Sequence, residues 1–251
     1  MPKAKLQVWR GDEDGRYQDY EVEYEEGMVI LDVIHKLQAT QATDLAVRWN
    51  CKAGKCGSCS AEINGKPVLQ CMQRMEIYPE DETISVAPLK TFPLIRDLVT
   101  DVSWNYEKAK TIPEVKLQSI GNDGNHRMAQ IDVDRGQEFR KCIECFMCQD
   151  VCHVIRDHPE NMDAFAGPRF FIRLAEISMH PLDSNPKEET VQHGFGLEYC
   201  NITKCCTEVC PEGIHITDNG IIPLKERRAD VYYDPLRAIG RKLFKRAGAS
   251  D

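Results

Sequence analysis

The spacing of twelve cysteines constrains this 251-residue chain more than any other feature. The first set is Cys51-Lys-Ala-Gly-Lys-Cys56-Gly-Ser-Cys59, with Cys71 further on. That is C-x4-C-x2-C with a distant fourth cysteine, the spacing of plant-type 2Fe-2S ligation. Gly54 and Gly57 suit a loop wrapped around a cluster, which needs positive φ angles and backbone N–H groups turned toward sulfur. Lys52 and Lys55 are expected to offset thiolate charge. A structural zinc site is the alternative reading, but such sites pair two C-x2-C units and this set holds one.

The second set is Cys142-Ile-Glu-Cys145-Phe-Met-Cys148-Gln-Asp-Val-Cys152. This is the C-x2-C-x2-C-x3-C run of bacterial ferredoxins, whose fourth cysteine serves a different cluster from the first three. The third set, Cys200-Asn-Ile-Thr203-Lys-Cys205-Cys206-Thr-Glu-Val-Cys210-Pro211, follows the same template with Thr203 where the middle cysteine belongs. On that template Cys210 completes a 4Fe-4S centre with Cys142, Cys145 and Cys148. Cys152 joins Cys200 and Cys206 at a site with three thiolates, where a 3Fe-4S centre is expected. Cys205 is left over, and a slipped register using it in place of Cys206 stays open.

Composition narrows the rest. A net charge of −8 is a poor match for nucleic-acid phosphates, so no nucleic-acid partner is expected. No stretch approaches the roughly 18 apolar residues of a membrane-spanning helix. The N-terminus lacks the apolar core of a signal peptide. The chain is therefore expected in the prokaryotic cytosol, where cysteines bind metals rather than form disulfides. There is no GxGxxG after a strand and no P-loop, so substrate chemistry is expected on a partner.

Two domains are expected, 1–105 and 106–251. Lys5–Trp9 and Tyr20–Tyr24 alternate around the Gly-containing stretch 11–15, a hairpin pattern. Val29, Val33, Ile34 and Leu37 recur at helical spacing. Asn64-Gly65 is a strong hairpin-turn signal between Ser60–Ile63 and Val68-Leu69. Ile84–Val86 reads as a closing strand. From Pro93 the spacing of Leu94, Ile95, Leu98 and Val102 predicts a helix. Pro113–Asn125 reads as a connector, Arg169–Ile177 as an amphipathic helix, and Leu236–Phe244 as a basic one. The two later cysteine runs resemble a worn duplication.

These motifs resemble the iron–sulfur subunit of the succinate dehydrogenase and fumarate reductase family over nearly the whole chain. Pro88-Leu89-Lys90 and Asp97-Leu98-Val99 are similar to that family's interdomain segment. The resemblance implies an α+β, plant-type ferredoxin (β-grasp) domain followed by an all-α, bacterial-ferredoxin-like domain. It implies a flavoprotein partner with covalent FAD, and a membrane anchor with quinone and, in many members, haem. Electrons would pass through the 2Fe-2S, 4Fe-4S and 3Fe-4S centres in that order. The location implied is the cytoplasmic face of the cell membrane. The chain departs from the family near the quinone end. His153 stands where many members have Pro, and Asp157 and Asn201 stand where ubiquinone users have Trp and His. These three and Thr203 are the quinone-proximal candidates, and menaquinone is the alternative quinone. His35, His126, His158, His180, His193 and His215 lack ligand spacing and are expected to be structural. A free-standing multi-cluster carrier and a sibling reductase with CCG elements are the competing readings. Cys205-Cys206 has no following Gly and does not fit the second.

Overall fold

The structure is a computed structural model that describes residues 2–79, 81–117, 125–185, 194–235 and 239. Strands β1 (Lys3–Arg10) and β2 (Arg16–Glu23) form the expected hairpin. Ala4, Leu6 and Val8 point inward from β1 while Lys3 and Lys5 face solvent, which fixes its register on one buried face. Strands β3 (Ser60–Ile63) and β4 (Lys66–Leu69) turn at Asn64-Gly65, both at positive φ, as a two-residue hairpin requires. Strand β5 (Thr83–Ala87) runs parallel to β1 and antiparallel to β3. The sheet is therefore mixed, in the order β2-β1-β5-β3-β4.

Helix α1 (Ile30–Thr40) lies against this sheet. The Asp32 carboxylate accepts the Val29 N–H at 3.3 Å and caps its start. Ile30, Val33, Ile34 and Leu37 pack with Leu6, Val8, Ile84 and Val86, and each such buried side chain contributes about 1.5–3 kcal/mol.

The segment after Pro93 is not the expected helix. It forms strands β6 (Leu94–Arg96) and β7 (Val99–Thr100), and helix α2 begins only at Ser103 and ends at Lys110. The cause is Asp97, at φ 49° and almost wholly buried. Its carboxylate accepts the N–H groups of Gly11 and Ala46, each at 2.7 Å, and the Arg10 guanidinium at 3.2 Å. That bond set outweighs the local periodicity, and Ile95 stays exposed.

The second half is helical: α3 (Gln130–Arg140), α4 (Met147–Asp150), α5 (His153–Arg156), α6 (Pro168–Ser178), α7 (Cys205–Glu208) and α8 (Ile222–Tyr233) among the described residues. A stretch of π-helix, Ile216–Ile221, leads into α8. Phe139, Phe165, Phe170, Phe171, Ile216 and Leu224 form its core. The expected basic helix at 236–244 falls outside the described residues except for Ile239. Residues 118–124 of the connector and His193 also lie outside them.

The two halves meet across polar and apolar contacts. Arg156 donates to Glu62 at 2.5 Å and to Asp150 at 3.2 Å, while Asp150 also accepts the Thr91 N–H at 3.1 Å. Phe146 packs edge-on against Phe92 and Tyr106. Met147 is buried against Leu31, Cys59, Leu69 and Cys71.

Candidate metal centres

The first loop bends back under the thiol of Cys51, whose Sγ receives the N–H groups of Ala53 at 3.4 Å and Lys55 at 3.3 Å. The Cys51 N–H reaches Cys56 Sγ at 3.5 Å. Cys59 and Cys71 are buried together. Burial, with Cys71 and Cys56 adding their fields, pushes Cys59 up to about 12. At Cys56 burial acts upward too, but donors at Cys51 and Ser58 outweigh it and bring that thiol down to about 7. Donors aimed at sulfur are what a cluster loop supplies.

Lys52 and Lys55 do not turn to the thiols as expected. Lys52 pairs with Asp32 at 3.7 Å and stands 5.0 Å from the Trp49 ring centre, while His35 meets that same ring edge-on. Lys55 pairs with Glu212 of the helical half at 3.1 Å. The charge on the first loop thus serves packing and the seam between the halves.

The second and third loops are copies of one another. Moving from Cys142 to Cys200, an offset of 58 residues, matches Glu144 with Ile202 and Phe146 with Lys204. All four carry positive φ, at 57°, 64°, 58° and 66° respectively. Each loop then enters a four-residue helix, α4 or α7, from its left-handed cap. Alternating right- and left-handed residues turn successive N–H groups into one concavity, an arrangement recurrent at iron–sulfur sites. Thr203 falls on Cys145 in this overlay, as the sequence template has it.

The thiols of the second and third loops lie within one another's fields. Burial pushes Cys145 up to about 12, and Cys142 and Cys210 add to it. Fully buried Cys148 is pushed well above its usual value by burial, with Cys145, Cys142, Cys206 and Cys210 acting on it. Burial likewise holds Cys152 at about 12 and Cys206 at about 11, each under the fields of Cys205 and Cys200. Metal binding is what overcomes such costs, because a coordinating thiol is deprotonated outright. Among the described residues no three His, Cys, Asp or Glu side chains converge as a single metal ion requires. The donor set and the loop conformations fit clusters, which spread their thiolates wider than one ion does.

Two features join the centres. A Cβ on Gly57, at φ 69°, would stand 2.7 Å from Cys145 Cα and 2.8 Å from both Cys145 N and Ile143 O. The first and second loops therefore touch at backbone distance. On the other flank, buried Arg169 of α6 makes a very short ion pair with Glu144, and Arg173 reaches the same carboxylate at 3.8 Å. Burial pushes the Cys142 thiol up, and both guanidinium groups offset only part of that rise. The sequence reading missed Arg169 and Arg173, although two arginines one turn apart in an apolar helix were a visible signal.

The quinone-proximal candidates lie at the surface. His153 is half-buried at the start of α5, and Asp157, Asn201 and Thr203 are exposed. The Asp157 N–H closes the turn on His153 O at 3.3 Å. No side-chain hydrogen bond joins that pair to Asn201 or Thr203 among the described residues. Of the other histidines, His215 bonds Glu138 and His158 bonds Glu160.

Two family descriptions match the chain: a 2Fe-2S iron–sulfur cluster binding domain over residues 5–107, and a 4Fe-4S dicluster domain over residues 138–214. A solved structure, the Mycobacterium smegmatis Sdh1 complex in the apo form, contains a chain 65% identical. The match has a TM-score of 0.90 and covers 93% of this chain and 98% of that one. The chain belongs to the iron–sulfur subunits of the succinate dehydrogenase and fumarate reductase family. A member of that family, the fumarate reductase iron–sulfur subunit of Mycobacterium tuberculosis, is 28% identical over 79% of this chain and 80% of its own length. A chain of the CoM/CoB fumarate reductase of Methanothermobacter marburgensis is 30% identical over 95% of this chain. The match spans 47% of that relative's length, and 40% of the length of a second methanogen iron–sulfur protein. As an iron–sulfur subunit the chain serves electron transfer. No helix among the described residues is long and apolar enough to cross a membrane.

Proposed function

We propose that this chain is the electron-transfer subunit of a membrane-bound succinate dehydrogenase (quinone), linking the FAD of a flavoprotein subunit to quinone at a membrane anchor. The bound clusters supply one-electron steps between a two-electron donor and a two-electron acceptor. Cys51, Cys56, Cys59 and Cys71 hold the 2Fe-2S centre in this reading. Cys142, Cys145, Cys148 and Cys210 hold the 4Fe-4S centre, and Cys152, Cys200 and Cys206 the 3Fe-4S centre. The observation that carries the reading is the pair of matching left-handed loops at Cys142–Cys148 and Cys200–Cys206, the second with Thr203 in place of a middle cysteine.

We read the N-terminal sheet as a β-grasp ferredoxin domain ending near residue 105, and the remainder as a bacterial-ferredoxin-like domain. The protein sits on the cytoplasmic face of the cell membrane. His153, Asp157, Asn201 and Thr203 face the quinone end, on an anchor that carries haem in many relatives. The high identity to a chain of the Sdh1 complex favours succinate oxidation. The named fumarate reductase relatives support the reverse direction as the second reading.

The test is to purify the complex from native membranes and add succinate anaerobically. A flavoprotein co-purifies, and succinate reduces the centres. A chain that leaves the membrane alone and whose centres ignore both succinate and quinol overturns the proposal in favour of a free carrier.

A further inference from the structure

Arg169 lies at the buried start of α6, between Pro168 and Phe170, and is only 6% exposed. Burying a guanidinium is costly unless its donors are met. Two of its donors are met on the second loop. Its Nη2 pairs with Glu144, which sits between Cys142 and Cys145. Its backbone N–H reaches Gln149 Oε1 at 3.4 Å, one residue beyond Cys148. Arg169 thus brackets the stretch that carries three of the four expected ligands. The ion pairs continue outward in a row. Arg173 reaches Glu144 at 3.8 Å and Glu176 at 3.0 Å, and Glu176 meets Arg140 at 2.8 Å. Both carboxylates are already shared between arginines. The Arg169 Nε is left over: it is buried and has no partner among the described residues. A buried donor without an acceptor is rare in folded proteins. The acceptors that a centre on this loop brings are sulfurs.

We propose that the Arg169 Nε–H donates to a sulfur of the second centre and raises that centre's reduction potential. The inference rests on the reading that Cys142, Cys145, Cys148 and Cys210 hold a four-iron centre. A charged donor favours the more negative, reduced cluster, and does so most strongly in a buried site. The guanidinium is planar, so the pair with Glu144 fixes the direction of the remaining N–H. The row of ion pairs holds the group in place, and the Nε–H acts on the centre.

The experiment is an EPR redox titration of all three centres in the intact complex. Groups that support a metal site are worth about 10–100-fold. Arg169→Gln should therefore make reduction of the second centre at least about 10-fold less favourable, a fall of about 59 mV for one electron. The first and third centres should keep their potentials. Arg169→Lys retains a charge for Glu144 but lacks the Nε–H, and should recover only a minor part of the fall. Arg140→Gln, at the exposed end of the row, should move nothing. A second measurement needs no variant to assemble. Labelling the arginines of the native complex with nitrogen-15 should change the nitrogen coupling seen by pulsed EPR on the reduced second centre. An unmoved second centre in Arg169→Gln, full recovery in Arg169→Lys, an equal fall in Arg140→Gln, or no arginine coupling in the native complex overturns the inference and leaves the ligand reading in place. A native complex without a four-iron signal overturns both.

Discussion

Replacing Gly57 with Ala tests how closely the first two loops depend on each other. The new Cβ would sit 2.7 Å from Cys145 Cα, and ordinary contact begins at 3.4 Å, so the loops must part by the 0.7 Å difference. The obstructing atoms are backbone and cannot swing away. The left-handed conformation costs an alanine about 1–2 kcal/mol. Forced overpacking adds about 1–3 kcal/mol, for a total of about 2–5 kcal/mol. Gly65 is the control. It also has a positive φ, 74°, but nothing lies within 4 Å of its added Cβ. Gly65→Ala therefore carries only the conformational cost of about 1–2 kcal/mol. The assay is thermal bleaching of the iron–sulfur absorbance in the intact complex, where each kcal/mol corresponds to about 2–4 °C for a chain of this size. Gly57→Ala should bleach at the lower temperature and slow electron passage between the first two centres. Equal losses for the two variants would mean that the loops do not meet there.

Arg156 is largely buried between two buried carboxylates, so Arg156→Met should cost about 3–5 kcal/mol by leaving them uncompensated. Exposed Lys55, also paired across the seam, should cost under about 1 kcal/mol on substitution by Ala, and denaturation midpoints of the two variants separate the cases. Thr217 places its hydroxyl 3.4 Å from Cys206 Sγ. Hydrogen bonds to sulfur raise a cluster's potential, so Thr217→Val should lower that of the third centre by about 20–60 mV in an EPR redox titration. Burial pushes the Glu138 carboxyl up, but donors from the His215 backbone at 2.7 Å and from Asn219 at 2.5 Å outweigh it and hold it below the usual value. The unfolded chain then binds more protons than the folded one as pH falls below about 4.5. Native stability should therefore drop there, and unfolding of Glu138→Gln measured against pH should lack that component.

The elements that local pattern dictates were legible in the sequence. The β1–β2 alternation, the Asn64-Gly65 turn, the apolar stripe of α1 and the stripe of α6 each carry their signal within a few neighbouring residues. The cysteine sets were legible for the same reason, including Thr203 in place of a cysteine. What escaped depends on distant partners. Leu94, Ile95, Leu98 and Val102 have helical spacing, yet Asp97 is claimed by Arg10, Gly11 and Ala46 from other parts of the fold. Lys55 looked like a counter-charge for thiolates until Glu212 approached it. The closeness of Gly57 to Cys145 and the triad of Arg156, Asp150 and Glu62 likewise arise only when the halves meet.

On the proposed reading eleven cysteines hold three centres of different kinds, with Cys152 and Cys210 crossing between the later sets. Mössbauer spectroscopy of the iron-enriched, oxidised native complex counts the irons of each centre. Beside any haem iron of the anchor, three components are expected with areas of two, four and three irons, the three-iron part matched by an EPR signal that Cys152→Ser abolishes and Cys210→Ser leaves in place. Two four-iron components, or loss of the three-iron signal in Cys210→Ser alone, would contradict it.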